Sequence, residues 1–185
     1  MIRGALGTAA GAVFLLCTVA AAQAPLEPSD YRTSEYRAAV PETLSGATVI
    51  DAATAEHLWR EGRAVFVDVL PRPERPAELP SDTYWRAPER LAIPGSTWLA
   101  NTGYGTLTPE RQAYFEAGLA RVIDEATPVV FYCQRNCWMS WNAAKRALEL
   151  GVEQVHWFPD GTDGWAERDL PLEPLEPWSL EGANG

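Results

Sequence analysis

Pro128-Val129-Val130-Phe131-Tyr132-Cys133-Gln134-Arg135-Asn136-Cys137-Trp138-Met139-Ser140-Trp141-Asn142-Ala143-Ala144 is the stretch that decides the fold. Its first five residues are a short apolar run rich in β-branched and aromatic side chains, as expected for a strand buried on both faces. The later residues carry helical apolar spacing, which predicts a helix from about Met139 to Leu150, closed by Gly151. Cys133 then stands where a buried strand ends, and Cys137 lies just before the following helix. Backbone N–H groups and the helix dipole favour an anion at such a junction. A thiolate is one such anion, so Cys133 is expected to ionise more readily than a free cysteine and to serve as a nucleophile.

The same two signals recur on either side. Ala64-Val65-Phe66-Val67-Asp68-Val69 and Val155-His156-Trp157-Phe158 read as further strands, and Ala47-Thr48-Val49-Ile50 as a shorter one. Asp51 to Glu61 has the spacing of a short amphipathic helix closed by Gly62. Thr108-Pro109-Glu110 is a helix start, with a capping hydroxyl, a proline in the first turn and then an acid, and that helix should reach about Asp124. Residues 71–92 read as a long Pro/Arg-rich surface loop, Ile93-Pro94-Gly95-Ser96 with Trp98-Leu99 as a turn into a short strand, and Asp160 to Gly164 as another turn. Strands alternating with helices imply an α/β fold: an open, twisted, mainly parallel sheet with helices on both faces. Sites in such sheets lie beyond the carboxyl ends of the strands, where Cys133 is placed.

The ends of the chain carry a different message. Residues 1–24 have one basic residue, Arg3, then an uncharged apolar run, then the small residues Ala20-Ala21-Ala22-Gln23-Ala24 before Pro25. That is the layout of a cleaved secretory signal peptide, with an uncleaved anchor helix as the other reading. The expected division is a signal peptide over 1–24, an N-terminal arm over 25–46, one domain over 47–175 and a C-terminal tail over 176–185. Export to the periplasm is the expected destination, with no membrane association once the leader is removed. The whole chain carries a formal net charge of −10, one unit more negative without Arg3. Such a surface repels phosphate backbones, so nucleic acid is not expected as a partner.

Loss of the leader also removes Cys17, leaving Cys133 and Cys137. A bond between them would close about five residues and contribute only ~2 kcal/mol in the chain-entropy picture. That is a poor staple for a fold of this size, so the pair points to function. On the residues alone the pair could be a disulfide, a reactive thiol with its neighbour, or a Cu(I) site with Met139 and His156 as soft or borderline ligands. His156 lies within an expected strand and reads equally as a core histidine, while His57 reads as a surface residue. Trp138, Trp141, Trp157 and Trp165 are expected to pack in the core or to wall the pocket. Asp160 and Asp163 read as turn formers rather than cation ligands.

Taken in order, several short pieces resemble the rhodanese-like family. They are Val65-Phe66-Val67-Asp68-Val69, Ile93-Pro94-Gly95-Ser96, Val129 to Cys133, Leu148-Glu149-Leu150-Gly151, and Gly161 to Trp165 with Leu170-Pro171. Cys133 to Ala144 together with Pro159 to Trp165 resembles more narrowly the CXXCW-motif proteins associated with catabolism dependent on pyrroloquinoline quinone. The resemblance implies that Cys133 is the active-site cysteine, which in rhodaneses carries a persulfide. It implies that Asp68 is the acidic residue ending a central strand, part of a catalytic set with Cys133 and Cys137. It also makes the loop residues Gln134, Arg135, Asn136, Trp138, Met139 and Ser140 the candidate substrate-binding set. Two departures stand out. Met139 precedes Ser140 where the family usually has an arginine, which disfavours phosphate chemistry. Cys137 can also resolve a persulfide on Cys133 by releasing sulfide. The expected function is sulfur transfer or thiol–disulfide redox chemistry without a cofactor. It would act on a small sulfur or thiol substrate, or on a periplasmic protein of a quinoprotein oxidation system. A periplasmic Cu(I) carrier and a non-catalytic binding module of the same fold are the alternatives.

Overall fold

Five parallel strands make the central sheet of the computed structural model, which describes residues 24–124 and 126–180. In chain order the elements are β1 (Thr48–Val49), α1 (Ala52–Arg60), β2 (Val65–Asp68), β3 (Arg90–Ala92), β4 (Thr97–Trp98), α2 (Pro109–Val122), β5 (Val129–Tyr132), α3 (Trp138–Glu149), β6 (Val155–Phe158), α4 (Gly161–Ala166) and β7 (Glu173–Leu175). The sheet runs β1-β6-β5-β2-β4, so the most apolar strand, β5, lies at its centre. Val65 to Asp68 pair in register with Val129 to Tyr132, which places Asp68 level with Tyr132 and one residue short of Cys133.

Side chains alternate across the sheet with period two. Val129 and Phe131 face the layer of α2 and α3, with Phe115, Leu119, Trp141 and Ala144. Val130 and Tyr132 face the layer of α1 and α4, with Ala55, Leu58 and Trp165. The expected α/β fold with helices on both faces is the one observed. The expected caps form as well: Asp51 accepts from the Thr54 N–H ahead of α1, and Thr108 accepts from the Arg111 N–H ahead of α2.

Local expectations differ in several places. The helix expected from Met139 begins one residue earlier, at Trp138, with Cys137 at its N-cap. The turn expected over Asp160 to Gly164 opens a short helix, α4. Within the expected loop 71–92, Arg90–Ala92 pairs antiparallel with Glu173–Leu175 in a separate two-stranded ribbon. That pairing joins segments more than eighty residues apart and leaves no local pattern. In the expected tail, the Trp178 N–H donates to the Trp98 carbonyl and covers the open edge of β4. Residues 1–23 of the expected signal peptide and residues 181–185 of the tail lie outside the described residues. No helix among the described residues is long and apolar enough to cross a membrane.

Candidate active site

Cys133 leaves the end of β5 fully buried, and Cys137, 1% exposed, caps α3. The two are joined by a disulfide across a Cα–Cα distance of 6.5 Å, within the usual range for such bonds. The intervening loop turns back at Asn136, whose φ of 55° is left-handed, a conformation that asparagine tolerates better than most residues.

The main chain at Cys133 is firmly held. Its carbonyl accepts from the Thr162 N–H at 3.1 Å, the Thr162 hydroxyl at 3.2 Å and Nη2 of Arg90 at 3.2 Å. Arg90 is 7% exposed, and its Nε donates to Oδ2 of the fully buried Asp68 at 2.6 Å. Oδ1 of Asp68 accepts from the Leu70 N–H at 2.8 Å. Burial pushes the Asp68 carboxyl above the usual range, opposed by the Arg90 guanidinium and the Leu70 N–H. Asp68 therefore reaches Cys133 only through Arg90. Sequence reading missed Arg90. A buried strand-end carboxylate implies a buried cation, but Arg72, Arg75, Arg86 and Arg90 share one irregular loop, and nothing in its pattern says which turns inward.

The candidate substrate-binding residues are mostly engaged within the fold. Gln134 accepts from the Arg37 guanidinium, and the Arg135 side chain points outward to the Asp160 and Glu167 carboxylates. Arg135 is thereby committed away from the cysteines and cannot stand in for the missing loop arginine. Met139 packs where Gly103 approaches α3 so closely that a Cβ there would lie 2.5 Å from the Met139 Cβ. The buried Ser140 hydroxyl donates to the Cys137 carbonyl at 3.2 Å and accepts from Nε1 of Trp157 at 3.1 Å. Two backbone amides of this strand–helix junction are also engaged. The Arg135 N–H donates to Asp163, and the Trp138 N–H donates to the Tyr36 carbonyl.

His156 lies on the opposite sheet face from the cysteines. It alternates with Val155 and Trp157, which share the cysteine layer, and pairs in register with Val130. The ligand set imagined for Cu(I) is therefore not gathered in one place. Among the described residues, no three His, Cys, Asp or Glu side chains cluster as metal ligands. Burial lowers the His156 pKa, opposed by a hydrogen bond with the Gln154 backbone. Of the tryptophans, Trp138, Trp141 and Trp157 line the cysteine layer and Trp165 the other.

Comparison with known families decides the class: the rhodanese-like domain matches residues 51–168, more than half of the chain. The chain belongs to the rhodanese-like family. No curated protein matches it in sequence. Among solved structures, a thiosulfate sulfurtransferase from Pseudomonas aeruginosa is 20% identical with a TM-score of 0.47, over 71% of this chain and 21% of that one. The polysulfide-sulfur transferase of Wolinella succinogenes is 17% identical with a TM-score of 0.44, over 76% and 86%. A Rhodopseudomonas palustris protein described as a possible tyrosine phosphatase is 22% identical with a TM-score of 0.43, over 72% and 99%. These likenesses are of fold. In this rhodanese-like chain, the strand-end cysteine and the acid of the neighbouring strand occupy the places that the sequence assigned them.

Proposed function

We propose that this rhodanese-like protein uses Cys133 and Cys137 as a redox pair, with thiol–disulfide exchange and persulfide resolution as its reactions. The disulfide at the strand end carries the reading, because it joins the family's expected sulfur-bearing cysteine to a second thiol in the next helix cap. The outward orientation of Arg135 supports it too, since the loop offers no guanidinium to hold thiosulfate or phosphate.

In the dithiol state, the Cys133 thiolate attacks one sulfur of a substrate disulfide and releases the other as a thiolate. The Cys137 thiolate then attacks Sγ of Cys133 in the mixed disulfide, expels the second substrate thiolate and closes the Cys133–Cys137 bond. The protein loses two electrons and the substrate gains two. If a sulfur donor has instead left a persulfide on Cys133, the same attack by Cys137 on Sγ expels hydrosulfide and gives the same disulfide. Asp68 and Arg90 fix the Cys133 backbone through these steps.

Export to an oxidising compartment suits such a pair. The CXXCW motif supports a role beside quinoprotein oxidation, with a small thiol or a protein of that system as the substrate. Treatment with a sulfur donor tests the chemistry. Reduced wild type is expected to release sulfide and form the disulfide, Cys137→Ser to hold a persulfide on Cys133 visible by mass spectrometry, and Cys133→Ser to do neither. Identical behaviour of both single variants and the wild type would overturn the reading.

A further inference from the structure

Cys133 and Cys137 are both buried, so no reagent reaches their sulfurs until something moves. From the N-terminal arm, Tyr36, Ala38 and Val40 pack against the core layer that holds both cysteines. Among the described residues the arm contains no helix or named strand. Its one sheet-like feature is an antiparallel bridge between Arg37 and Cys137 itself. Arm side chains reach the body at Tyr31, which meets Glu149 and Arg146 of α3, and at Arg32, Tyr36 and Arg37. Five further hydrogen bonds hold the backbone of residues 32–43. The side-chain amide of Asn142 accepts from the Arg32 N–H at 3.0 Å and donates to the Arg32 carbonyl at 2.8 Å. The Trp138 N–H donates to the Tyr36 carbonyl at 2.9 Å, and Nε1 of Trp138 to the Ala39 carbonyl at 3.0 Å. Nε1 of Trp141 donates to the Thr43 carbonyl at 3.1 Å.

The body's partners in these five bonds all sit on α3, directly after Cys137. None of the five reads a side chain of the arm. Asn142 and Trp141 are fully buried, so withdrawing the arm with nothing in its place strips partners from polar groups and apolar cover from two indoles. Each unmet buried group costs about 1–3 kcal/mol, which favours exchange of one extended chain for another over simple opening.

We propose that the face of α3 formed by Trp138, Trp141 and Asn142 is a seat for an extended polypeptide. A segment of a protein partner displaces residues 32–43 there and so gains access to the Cys133–Cys137 disulfide. This rests on the redox reading above and assigns it a protein, rather than a small molecule, as its partner.

Arg32 and Tyr36 are two of the side chains that anchor the arm, and both contacts are lost on truncation to alanine. The Arg32 guanidinium lies 5.3 Å from the Trp138 ring centroid, and the Tyr36 hydroxyl accepts from the Gly105 N–H at 3.2 Å. The full-length variant Arg32→Ala/Tyr36→Ala loosens the arm and leaves α3 intact; Arg32→Ala alone serves if the double variant does not fold. Reduction of its disulfide by a small phosphine is expected to be at least roughly tenfold faster than in the wild type.

A labelled peptide of residues 28–44 should bind the variant and slow reduction back towards the wild-type rate. A second peptide of equal length, with changed side chains at the positions of residues 32–39, should bind within about tenfold of the first. Unchanged reduction in the folded variant would overturn the proposal, as would binding by the native arm sequence alone. A variant that dimerises and regains slow reduction would assign the seat to a second copy's arm and also overturn it. Peptide binding with protection, in a protein whose cysteines fail the sulfur-donor test, would keep the seat and remove the redox reading.

Discussion

Asp68 and Arg90 show how much one buried pair can settle. The carboxylate is fully buried at the end of β2, and both of its oxygens accept from donors. Removing one partner is worse than removing both, because it leaves an uncompensated charge in a low-dielectric place. Arg90→Met should therefore cost about 3–5 kcal/mol of stability at neutral pH, and Asp68→Leu/Arg90→Met much less. The pH dependence separates this account from mere loss of packing. Burial already raises the Asp68 pKa, and loss of Arg90 removes the main opposing influence. A carboxyl whose folded pKa is raised binds its proton more tightly when folded, so that contribution grows as pH falls and is lost as pH rises through the folded pKa. The deficit of Arg90→Met should accordingly shrink between pH 7 and pH 5 in urea unfolding, while the double variant shows no such recovery. A deficit independent of pH would mean that Asp68 is not the group left stranded.

The join between β5 and α4 rests on Gly161. Its φ is +49°, and a Cβ there would stand 2.5 Å from the Cys133 carbonyl oxygen, against the group that Thr162 and Arg90 hold. Gly161→Ala is expected to lose more stability than Gly62→Ala, where φ is +62° but nothing lies within 4 Å. The left-handed conformation alone costs about 1–2 kcal/mol, so the excess at Gly161 measures the clash with the Cys133 peptide; thermal unfolding of the two variants, giving equal losses, would show that the peptide yields freely. This contact was beyond the sequence, which read Asp160 to Gly164 as a turn. The strands and helices were legible because burial on one or both faces imposes a period on the residues themselves, as in Val65–Asp68 and Val129–Tyr132. The position of Cys133 followed from that pattern. The β3–β7 ribbon, Arg90 and the docking of the arm were not legible. Each depends on contact between distant segments: backbone pairing in the ribbon, α3 side chains reaching backbone groups that every arm residue carries, and a side-chain ion pair that any of four loop arginines could have made. No local side-chain period records such contacts.

The proposed exchange takes the whole molecule between two covalent states, dithiol and disulfide, and their difference in stability bears on whether the disulfide is a staple or a working group. Cys133 and Cys137 are four positions apart, so the bond constrains the unfolded chain very little. The sheet, the two helical layers, the arm and the C-terminal cover over β4 all form through contacts that do not need it. Reduction should therefore lower stability by only about 2 kcal/mol. For a chain of this length that corresponds to a fall in Tm of about 4–8 °C, with the reduced protein still unfolding in one cooperative step. Calorimetry of the oxidised protein, the reduced protein and Cys133→Ala/Cys137→Ala checks this, the double variant controlling for side effects of the reductant. Retention of the fold on reduction lets the pair cycle between dithiol and disulfide, as the proposed exchange requires. Collapse of the cooperative transition on reduction would instead make the bond structural, and a protein that unfolds whenever its disulfide opens could not use that disulfide for turnover.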